Sequence, residues 1–235
     1  MGDERVAELR ERHRALLGRL RTIAERQGHD PDRLRVVGIT KTHPVELVRA
    51  ALGAGLTRLG ESRVQEAEPK IAACPDAEWH FVGRLQSNKA RRAVRGFAVI
   101  HSVDSIRLLQ RVDELTAEEG LDRRVLLQVN VSGEAAKAGM TPDELERVVA
   151  PATACLTGLM TIAPMGAGPE AARAVFAELR NLRDRLEQRL GTALPELSMG
   201  MSADAEAAAA EGATLVRIGT ALFGPRAETL VFSEP

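Results

Sequence analysis

L-R-V-V-G-I-T, residues 34–40, is a short β-rich run that stops directly at Lys41. The stretch before it, residues 6–27, has a different period, with apolar residues spaced as on one face of a helix. After Lys41, strand-like and helix-like segments alternate through the rest of the sequence. Such alternation predicts parallel strands that are joined by right-handed helical crossovers.

Eight strand-like segments can be counted from residue 34 onward. The strands are predicted at residues 34–40, 57–61, 79–85, 98–103, 124–131, 156–162, 196–201 and 215–223. The helices between them are predicted at residues 45–54, 65–73, 88–94, 106–119, 142–154, 169–190 and 203–211. We therefore predict an α/β fold, a single (β/α)8 TIM barrel with an extra N-terminal helix, over residues 1–235. An open doubly wound sheet of eight strands is the competing topology.

The composition is that of a globular protein without an unusual charge. The 235 residues carry a formal net charge of −1, and 44% of them are hydrophobic. Because no segment concentrates basic residues, we expect neither nucleic acid nor a membrane surface as a partner. No stretch approaches the roughly 20 apolar residues of a membrane span, and the N-terminus lacks a signal-peptide core. We therefore expect a cytoplasmic protein.

The cysteines and histidines give no signature of a metal site. Cys74 and Cys155 lie far apart in the sequence and are expected to be reduced and buried. The histidines lack the paired spacing that metal ligands show. They are His13, His29, His43, His80 and His101. We therefore predict that the protein holds no metal ion.

Lysine is rare in this chain, which narrows the search for a reactive amine. Barrel proteins place their sites at the C-terminal ends of strands and in the loops that follow. Lys41 ends the first predicted strand, so a partly buried amine at the barrel mouth is a competent nucleophile. The alternative is a lysine that only reaches toward solvent. Lys137, in the loop after strand 5, is a second candidate, whereas Lys70 and Lys89 lie in or beside helices.

The loops after strands 7 and 8 have the composition of a phosphate site. In L-S-M-G-M-S-A-D, Ser198, Gly200 and Ser202 alternate, and V-R-I-G-T-A-L-F-G follows with its own Gly-Thr pair. Small residues let the backbone approach an anion closely, and hydroxyl groups add hydrogen-bond donors. Asp204 is interpreted as the N-cap of the next helix rather than as a ligand.

Two polar residues lie within predicted strands, where burial is costly without a partner. Arg217 lies just inside the end of strand 8, where it either forms a structural ion pair or contacts a ring atom of a ligand. His80 lies on strand 3 in W-H-F-V-G-R-L-Q-S-N-K, and a lone strand histidine is more often a core residue than a catalyst. An amine that faces phosphate-type loops suits an aldehyde cofactor carrying a phosphate.

Taken in order, these motifs resemble those of the pyridoxal-phosphate homeostasis protein family, also called the proline-synthetase co-transcribed family. The resemblance extends from about residue 34 to 226 and is highly specific. It implies a fold-type III barrel that binds pyridoxal 5'-phosphate and is related to the N-terminal domain of alanine racemase. The other motifs that carry it are G-I-T-K-T-H-P, G-E-S-R-V-Q-E, H-S-V-D-S, L-L-Q-V-N-V-S-G-E-A-A-K-A-G and L-T-G-L-M-T-I-A-P.

The resemblance implies that Lys41 carries the cofactor as a Schiff base. It places Arg217 near the pyridine nitrogen, which an arginine leaves unprotonated and therefore a poor electron sink. Ser62 and Arg63 stand where the family usually has Asn and Tyr. Ser62 can still donate one hydrogen bond toward the cofactor, and His80 is a further cofactor-binding candidate. The residues implied around the phosphate are Ser198, Met199, Gly219 and Thr220.

The preferred function is a pyridoxal 5'-phosphate carrier or buffer in vitamin B6 homeostasis, which affects amino-acid and keto-acid balance without turnover of its own. We expect a monomer that contacts pyridoxal-phosphate-dependent apoenzymes transiently. The alternative is an amino-acid racemase of the alanine-racemase type, which needs a second base opposite the lysine. That base is a tyrosine from a second domain in alanine racemase, whereas this sequence has no tyrosine and is expected to have no room for such a domain after residue 226. His80 or a cysteine is the substitute base that this alternative requires.

Overall fold

The fold was analysed in a computed structural model that describes residues 2–134, 137–148 and 155–224. In it, eight parallel strands follow one another around a closed barrel, and the last strand pairs with the first. The predicted (β/α)8 barrel is therefore confirmed, and the competing open sheet is wrong. The strands are β1 (Arg35–Ile39), β2 (Arg58–Glu61), β3 (Glu78–Phe81), β4 (Val99–Val103), β5 (Arg124–Gln128), β6 (Leu156–Met160), β7 (Glu196–Ser198) and β8 (Leu215–Ile218).

Helices follow the strands and cover the outside of the barrel. The first helix is the predicted N-terminal addition, and it packs against the helices that follow β1 and β7. Short 3-10 turns occupy Pro31–Arg33 and Ser87–Lys89. The helices within the described ranges are α1 (Gly2–Arg26), α2 (Val45–Gly53), α3 (Val64–Ala73), α4 (Ala90–Gly96), α5 (Ile106–Glu118), α6 (Pro142–Leu145), α7 (Pro169–Leu190), α8 (Ala205–Ala210) and α9 (Thr220–Phe223).

The end of the chain differs from the prediction of a strand at residues 215–223. β8 stops at Ile218, and α9 follows at once. At Gly219 the backbone turns to φ −107° and ψ −83°, and the amide of Phe223 donates to the Gly219 carbonyl. The apolar run A-L-F is compatible with the spacing of a strand and with that of a helix, so the sequence alone could not distinguish a longer strand from a short helix.

Several other strands also end earlier than predicted, because apolar residues continue into the loops at the barrel mouth. The strands predicted to reach residues 85, 131, 162 and 201 stop at Phe81, Gln128, Met160 and Ser198. In the described part of the helix predicted at residues 142–154, which ends at residue 148, helix is observed over Pro142–Leu145. Residues 149–154 of that helix lie outside the described residues.

Side chains along each strand alternate between the barrel interior and the layer facing the helices. A small apolar cluster fills the interior, whereas a much larger one lies between the strands and the helices. The interior also holds buried polar groups, among them His80, His101 and Arg217. The members of the interior apolar cluster are Val37, Ile39, Val99, Leu126, Met160 and Leu215.

Gly158 in β6 allows an unusually close approach of two strands. A Cβ atom built there lies 2.0 Å from the backbone oxygen of Glu196, so even a methyl group forces the strands apart. We expect Gly158→Ala to lower the free energy of unfolding by about 3 kcal/mol, measured by urea denaturation. Gly18→Ala is the matched control, because among the described residues nothing outside the backbone of its own helix turn crowds its Cβ position, and alanine favours the helix. Equal stability of the two variants would contradict this account of Gly158.

Among the described residues, no helix combines the length with the apolar character that a membrane span requires.

Candidate functional site

Lys41 lies at the mouth of the barrel, two residues beyond the end of β1. Its side chain is half-buried and lines a small cleft together with the turn after β8. The structure therefore brings together Lys41, Gly219 and Thr220, which the sequence predicted as the amine and part of the phosphate loop. The other residues of this cleft, here called the Lys41 cleft, are Ile39, His43 and Gly224.

The turn that carries Lys41 is held in an uncommon backbone conformation. Thr42 has a φ of 68°, the only left-handed backbone found for a residue other than glycine within the described ranges. Such a conformation is unfavourable for a β-branched residue and persists only where the surroundings enforce it. The amide of His43 donates to the carbonyl of Thr40 and closes the turn. The Lys41 side chain thus projects from a backbone with little freedom.

A buried ion pair supports this turn from behind. The ammonium of Lys70 on α3 lies 2.6 Å from a carboxylate oxygen of Glu61 and donates to the Thr40 carbonyl at 2.8 Å. The hydroxyl of Thr40 donates to the same Glu61 oxygen at 2.7 Å. Glu61 is fully buried and Lys70 is 6% exposed. Lys70 is therefore a structural anchor for the residue before Lys41 rather than a reactive amine.

The loops after β7 and β8 contact each other beside the Lys41 cleft. The amide of Ala221 in α9 donates to the Ser202 hydroxyl at 3.4 Å. Asp204 occupies the N-cap position of α8, as predicted. Its carboxylate accepts from the amide of Met201 at 2.6 Å and not from the first turn of the helix. Gly200 lies in the loop between β7 and α8, and its φ of +88° permits a sharp turn of the backbone there.

Ser198 and Met199 do not join the Lys41 cleft. Both are fully buried. Met199 packs in the apolar layer between strands and helices. The Ser198 hydroxyl points into the barrel interior, where its partners are Arg217 and His101. Of the four residues implied around a phosphate, the structure thus gathers Gly219 and Thr220 beside Lys41 and encloses the other two.

Arg217 is enclosed near the C-terminal end of β8. Its guanidinium donates to the Ser198 hydroxyl at 2.6 Å and to the Thr161 carbonyl at 2.9 Å. Neither partner is a carboxylate, so these contacts are not the structural ion pair that was one alternative. Burial lowers the pKa of Arg217 to about 10, which still leaves the guanidinium charged at neutral pH. The negative charge of Asp204 has a smaller, opposite effect on the pKa of Arg217, although Asp204 is not one of its hydrogen-bond partners. A buried cation whose hydrogen-bond partners are neutral favours an anionic or electron-rich group nearby.

His80 lies below the mouth, in the middle of the barrel interior. Its Nδ1 is 2.8 Å from Nε2 of His101, and its Nε2 is 2.9 Å from a carboxylate oxygen of Glu78. Both ring nitrogens are therefore engaged. Burial lowers the pKa of His80 and lowers that of His101 well below the usual value. The two rings are neutral members of the interior and do not line the Lys41 cleft.

Glu78 at the start of β3 carries the negative charge of this interior network. A hydrogen bond from His80 is the largest influence on it, and Arg124 donates to it at 2.6 Å. These hydrogen bonds and the positive charge of Arg124 outweigh the effect of partial burial, and they lower the pKa of Glu78 to about 2. The carboxylate is thus ionised wherever the protein is folded at ordinary pH.

Because the folded pKa of Glu78 is depressed, its contribution to stability is present above about pH 4.5 and is lost as pH falls toward 2. Partial exposure to solvent reduces that contribution to about 1–2 kcal/mol. We expect the gap in unfolding free energy between the wild type and Glu78→Gln to narrow as pH falls from about 5.5 to about 3, followed by urea denaturation. A gap that stays constant over this range would show that Glu78 does not titrate this way.

Ser62 lies outside the Lys41 cleft. It is half-buried and lines a separate depression that also includes Arg63 and Lys89. Lys137 lines a larger cavity of about 240 Å³ on another side of the mouth, with Arg84 and Gln128. The Lys137 ammonium pairs with Glu134 at 3.0 Å. In the part of the chain that the structure describes, the lysine that lines a cleft with the turn after β8 is Lys41, and Lys89 and Lys137 line other depressions.

Cys74 and Cys155 are buried and unpaired with each other, as predicted. Burial, with a smaller effect from Asp113, raises the pKa of Cys155 to about 12, so its thiol is unreactive at neutral pH. Over residues 2–134, 137–148 and 155–224, no group of three or more His, Cys, Asp or Glu side chains is placed to hold a metal ion.

Sequence reasoning missed Glu78, His101 and Thr161 as members of the interior. For Glu78 and His101, the sequence did contain a signal. Glu78 and His80 lie two apart on β3 and thus face the same side, and His101 lies on the neighbouring strand. For Thr161 the contact is through its carbonyl oxygen, which carries no signal in the side-chain sequence.

Comparison with known proteins agrees with the fold. Residues 14–227 match the family model described as alanine racemase, N-terminal domain. Barrel and match together define the class: an α/β barrel of the alanine racemase N-terminal type. Within that class, the chain belongs to the family of pyridoxal phosphate homeostasis proteins.

The relatives cover nearly the whole chain. The pyridoxal phosphate homeostasis protein of Pseudomonas aeruginosa is 45% identical over 88% of this chain and 91% of its own length. That of Aquifex aeolicus is 41% identical over 92% and 97%, respectively. The structure of PipY from Synechococcus elongatus with PLP bound is 40% identical, covers 86% of this chain and 100% of that chain, and has a TM-score of 0.74.

Proposed function

We propose that this protein binds pyridoxal 5'-phosphate reversibly, as a Schiff base with Lys41, and serves vitamin B6 homeostasis as a cofactor carrier or buffer. The observation that carries the proposal is the Lys41 cleft, where one half-buried amine lies beside Gly219 and Thr220. PLP-bound PipY and the homeostasis relatives support the choice of cofactor.

The residues of the site fit this cofactor. Bound pyridoxal phosphate supplies an aldehyde that amines capture reversibly. The Lys41 amine is held on a constrained turn, so it meets the aldehyde with little loss of freedom. Gly219 and Thr220 offer small size and a hydroxyl for a phosphate, and Arg217 supplies a buried positive charge at the end of β8. These are the groups that we propose hold the cofactor.

The same residues favour storage over turnover. A guanidinium at the ring nitrogen leaves that nitrogen unprotonated, so the bound cofactor withdraws electrons weakly. The sequence has no tyrosine to act as a second base. His80, the substitute considered for that role, has both ring nitrogens engaged in the interior. We accordingly propose a cytoplasmic, monomeric carrier that transiently meets apoenzymes and affects amino-acid and keto-acid balance, rather than a racemase.

Borohydride reduction followed by peptide mapping tests this function. The purified protein is incubated with pyridoxal phosphate, reduced and digested, and the modified peptide is identified by mass spectrometry. We expect the adduct on Lys41. An adduct confined to Lys137 or Lys89 would contradict the site. In a separate, unreduced sample of the protein with pyridoxal phosphate, rapid loss of circular dichroism from single-enantiomer alanine would overturn the carrier function in favour of the racemase.

A further inference from the structure

A row of five polar side chains crosses the barrel interior, from the end of β8 to the start of β3. Along this row, here called the interior chain, neighbouring atoms are 2.6, 2.7, 2.8 and 2.9 Å apart. Of these side chains, the proposed carrier function involves only Arg217, at the upper end of the row. The members in order are Arg217, Ser198, His101, His80 and Glu78.

The lower end of the interior chain has only one possible hydrogen-bond polarity. The carboxylate of Glu78 accepts from Arg124 at 2.6 Å and contacts Arg58 at 3.1 Å. An ionised carboxylate can only accept, so Nε2 of His80 must carry a proton and donate to it. Because burial keeps the ring of His80 neutral, its Nδ1 has no proton and must accept.

The direction of the hydrogen bonds at the lower end also determines their direction at the upper end. Since Nδ1 of His80 accepts, Nε2 of His101 carries the proton between the two rings. His101 is also neutral, so its Nδ1 accepts from the hydroxyl of Ser198. The lone pairs of Ser198 then face the guanidinium of Arg217, which donates to them. Every donor thus points the same way, from the cation to the carboxylate.

We propose that the interior chain is a positioning device, in which Glu78 at the base of the barrel sets the tautomers of His80 and His101 and thereby orients Ser198 and Arg217 at the mouth. The effect on ligand binding rests on the proposed function, because there Arg217 faces the cofactor. His80 and His101 act through Arg217 and are positioning residues. A neutral pair of buried rings transmits the polarity without carrying charge into the apolar interior.

Removing the charge of Glu78 should reverse the interior chain. In Glu78→Gln, the single amide oxygen takes the place of Oε2 and accepts from Arg124, which makes the shorter contact of 2.6 Å, whereas Arg58 loses its 3.1 Å contact with Oε1. The amide nitrogen then faces His80 and donates to its Nε2, so the ring must carry its proton on Nδ1. His101 follows, and its Nδ1–H competes with Arg217 for the lone pairs of Ser198. A substitution at one end of the barrel therefore changes a hydrogen bond at the other.

Nitrogen-15 NMR of the histidine rings, recorded on the protein without added cofactor, tests this directly. In the wild type we expect both His80 and His101 to be neutral and protonated on Nε2. In Glu78→Gln we expect both to be protonated on Nδ1. Glu78→Asp should restore the wild-type pattern. Glu196→Gln is the matched control, because Glu196 is a buried carboxylate at the barrel base that pairs with Arg35 and Thr214 instead.

Pyridoxal phosphate titration of the same variants gives the second readout. We expect Glu78→Gln to bind roughly three- to tenfold more weakly than the wild type, and Glu196→Gln to bind as the wild type does. Wild-type rings protonated on Nδ1, tautomers unchanged in Glu78→Gln, or reversed tautomers with unchanged affinity each overturn the positioning role. If the wild type itself binds no pyridoxal phosphate, the proposed function fails, whereas the tautomer result still decides the polarity of the interior chain.

Discussion

Replacement of Lys41 by alanine should abolish covalent capture of pyridoxal phosphate and remove the visible absorbance band of the bound cofactor. Lys41 is the amine beside Gly219 and Thr220, and alanine leaves the cleft without a nucleophile. We expect affinity to fall at least roughly 100-fold, equivalent to about 2.8 kcal/mol. Absorbance titration and equilibrium dialysis measure the two effects separately.

Three control variants distinguish covalent capture of the cofactor from electrostatic attraction by a positive charge. Lys41→Arg keeps a cation in the cleft but cannot form a Schiff base, so it should lose the band while retaining part of the affinity. Lys137→Ala and Lys89→Ala, which alter amines outside the Lys41 cleft, should keep both. A band that persists unchanged in Lys41→Ala would show that another amine carries the cofactor.

Lys70→Met should have the largest effect on stability. It removes the cation that pairs with fully buried Glu61 and leaves a carboxylate in the protein interior with only the Thr40 hydroxyl as a donor. Breaking one partner of such a pair costs about 3–5 kcal/mol of unfolding free energy. Because Lys70 also holds the Thr40 carbonyl, the turn that carries Lys41 should loosen, and pyridoxal phosphate affinity should fall in the folded variant.

An exposed pair provides the comparison for this loss. Arg92 on α4 reaches Glu68 on α3, but both side chains are exposed to solvent, so Arg92→Met should lower the free energy of unfolding far less than Lys70→Met does. The double variant Lys70→Met/Glu61→Leu removes both buried charges and should regain most of the stability lost in the single variant. If urea denaturation finds Lys70→Met and Arg92→Met equally stable, burial of the first pair has no energetic consequence.

The barrel could be predicted because strands and helices leave different periods in the sequence. Short β-rich runs such as residues 34–40, each followed by a helical pattern, suffice to predict parallel pairing. The position of Lys41 at a strand end then placed it at the mouth. Where a strand stops was harder to predict, because the apolar residues of α9 satisfy strand and helix patterns equally.

The interior chain could not be predicted in the same way. It depends on which side chains meet across the barrel, and Arg217 and His101 belong to strands that are not neighbours. The distances within it follow from strand tilt and register, which the pattern of polar and apolar residues does not specify. For the same reason, Ser198 is a candidate phosphate ligand by its position at the end of strand 7, whereas in the structure its hydroxyl is hydrogen-bonded to His101 in the interior.

Closure of the barrel by β1 and β8 has a consequence for how the protein becomes functional during synthesis. Val36 pairs with Val216, and Lys41 meets Gly219 only once these two strands lie side by side. Lys41 is translated early, but the residues of β8 and α9 that complete its surroundings are translated much later. A nascent chain therefore cannot assemble the cleft until translation has passed β8, so ligand capture reports on a barrel that has closed.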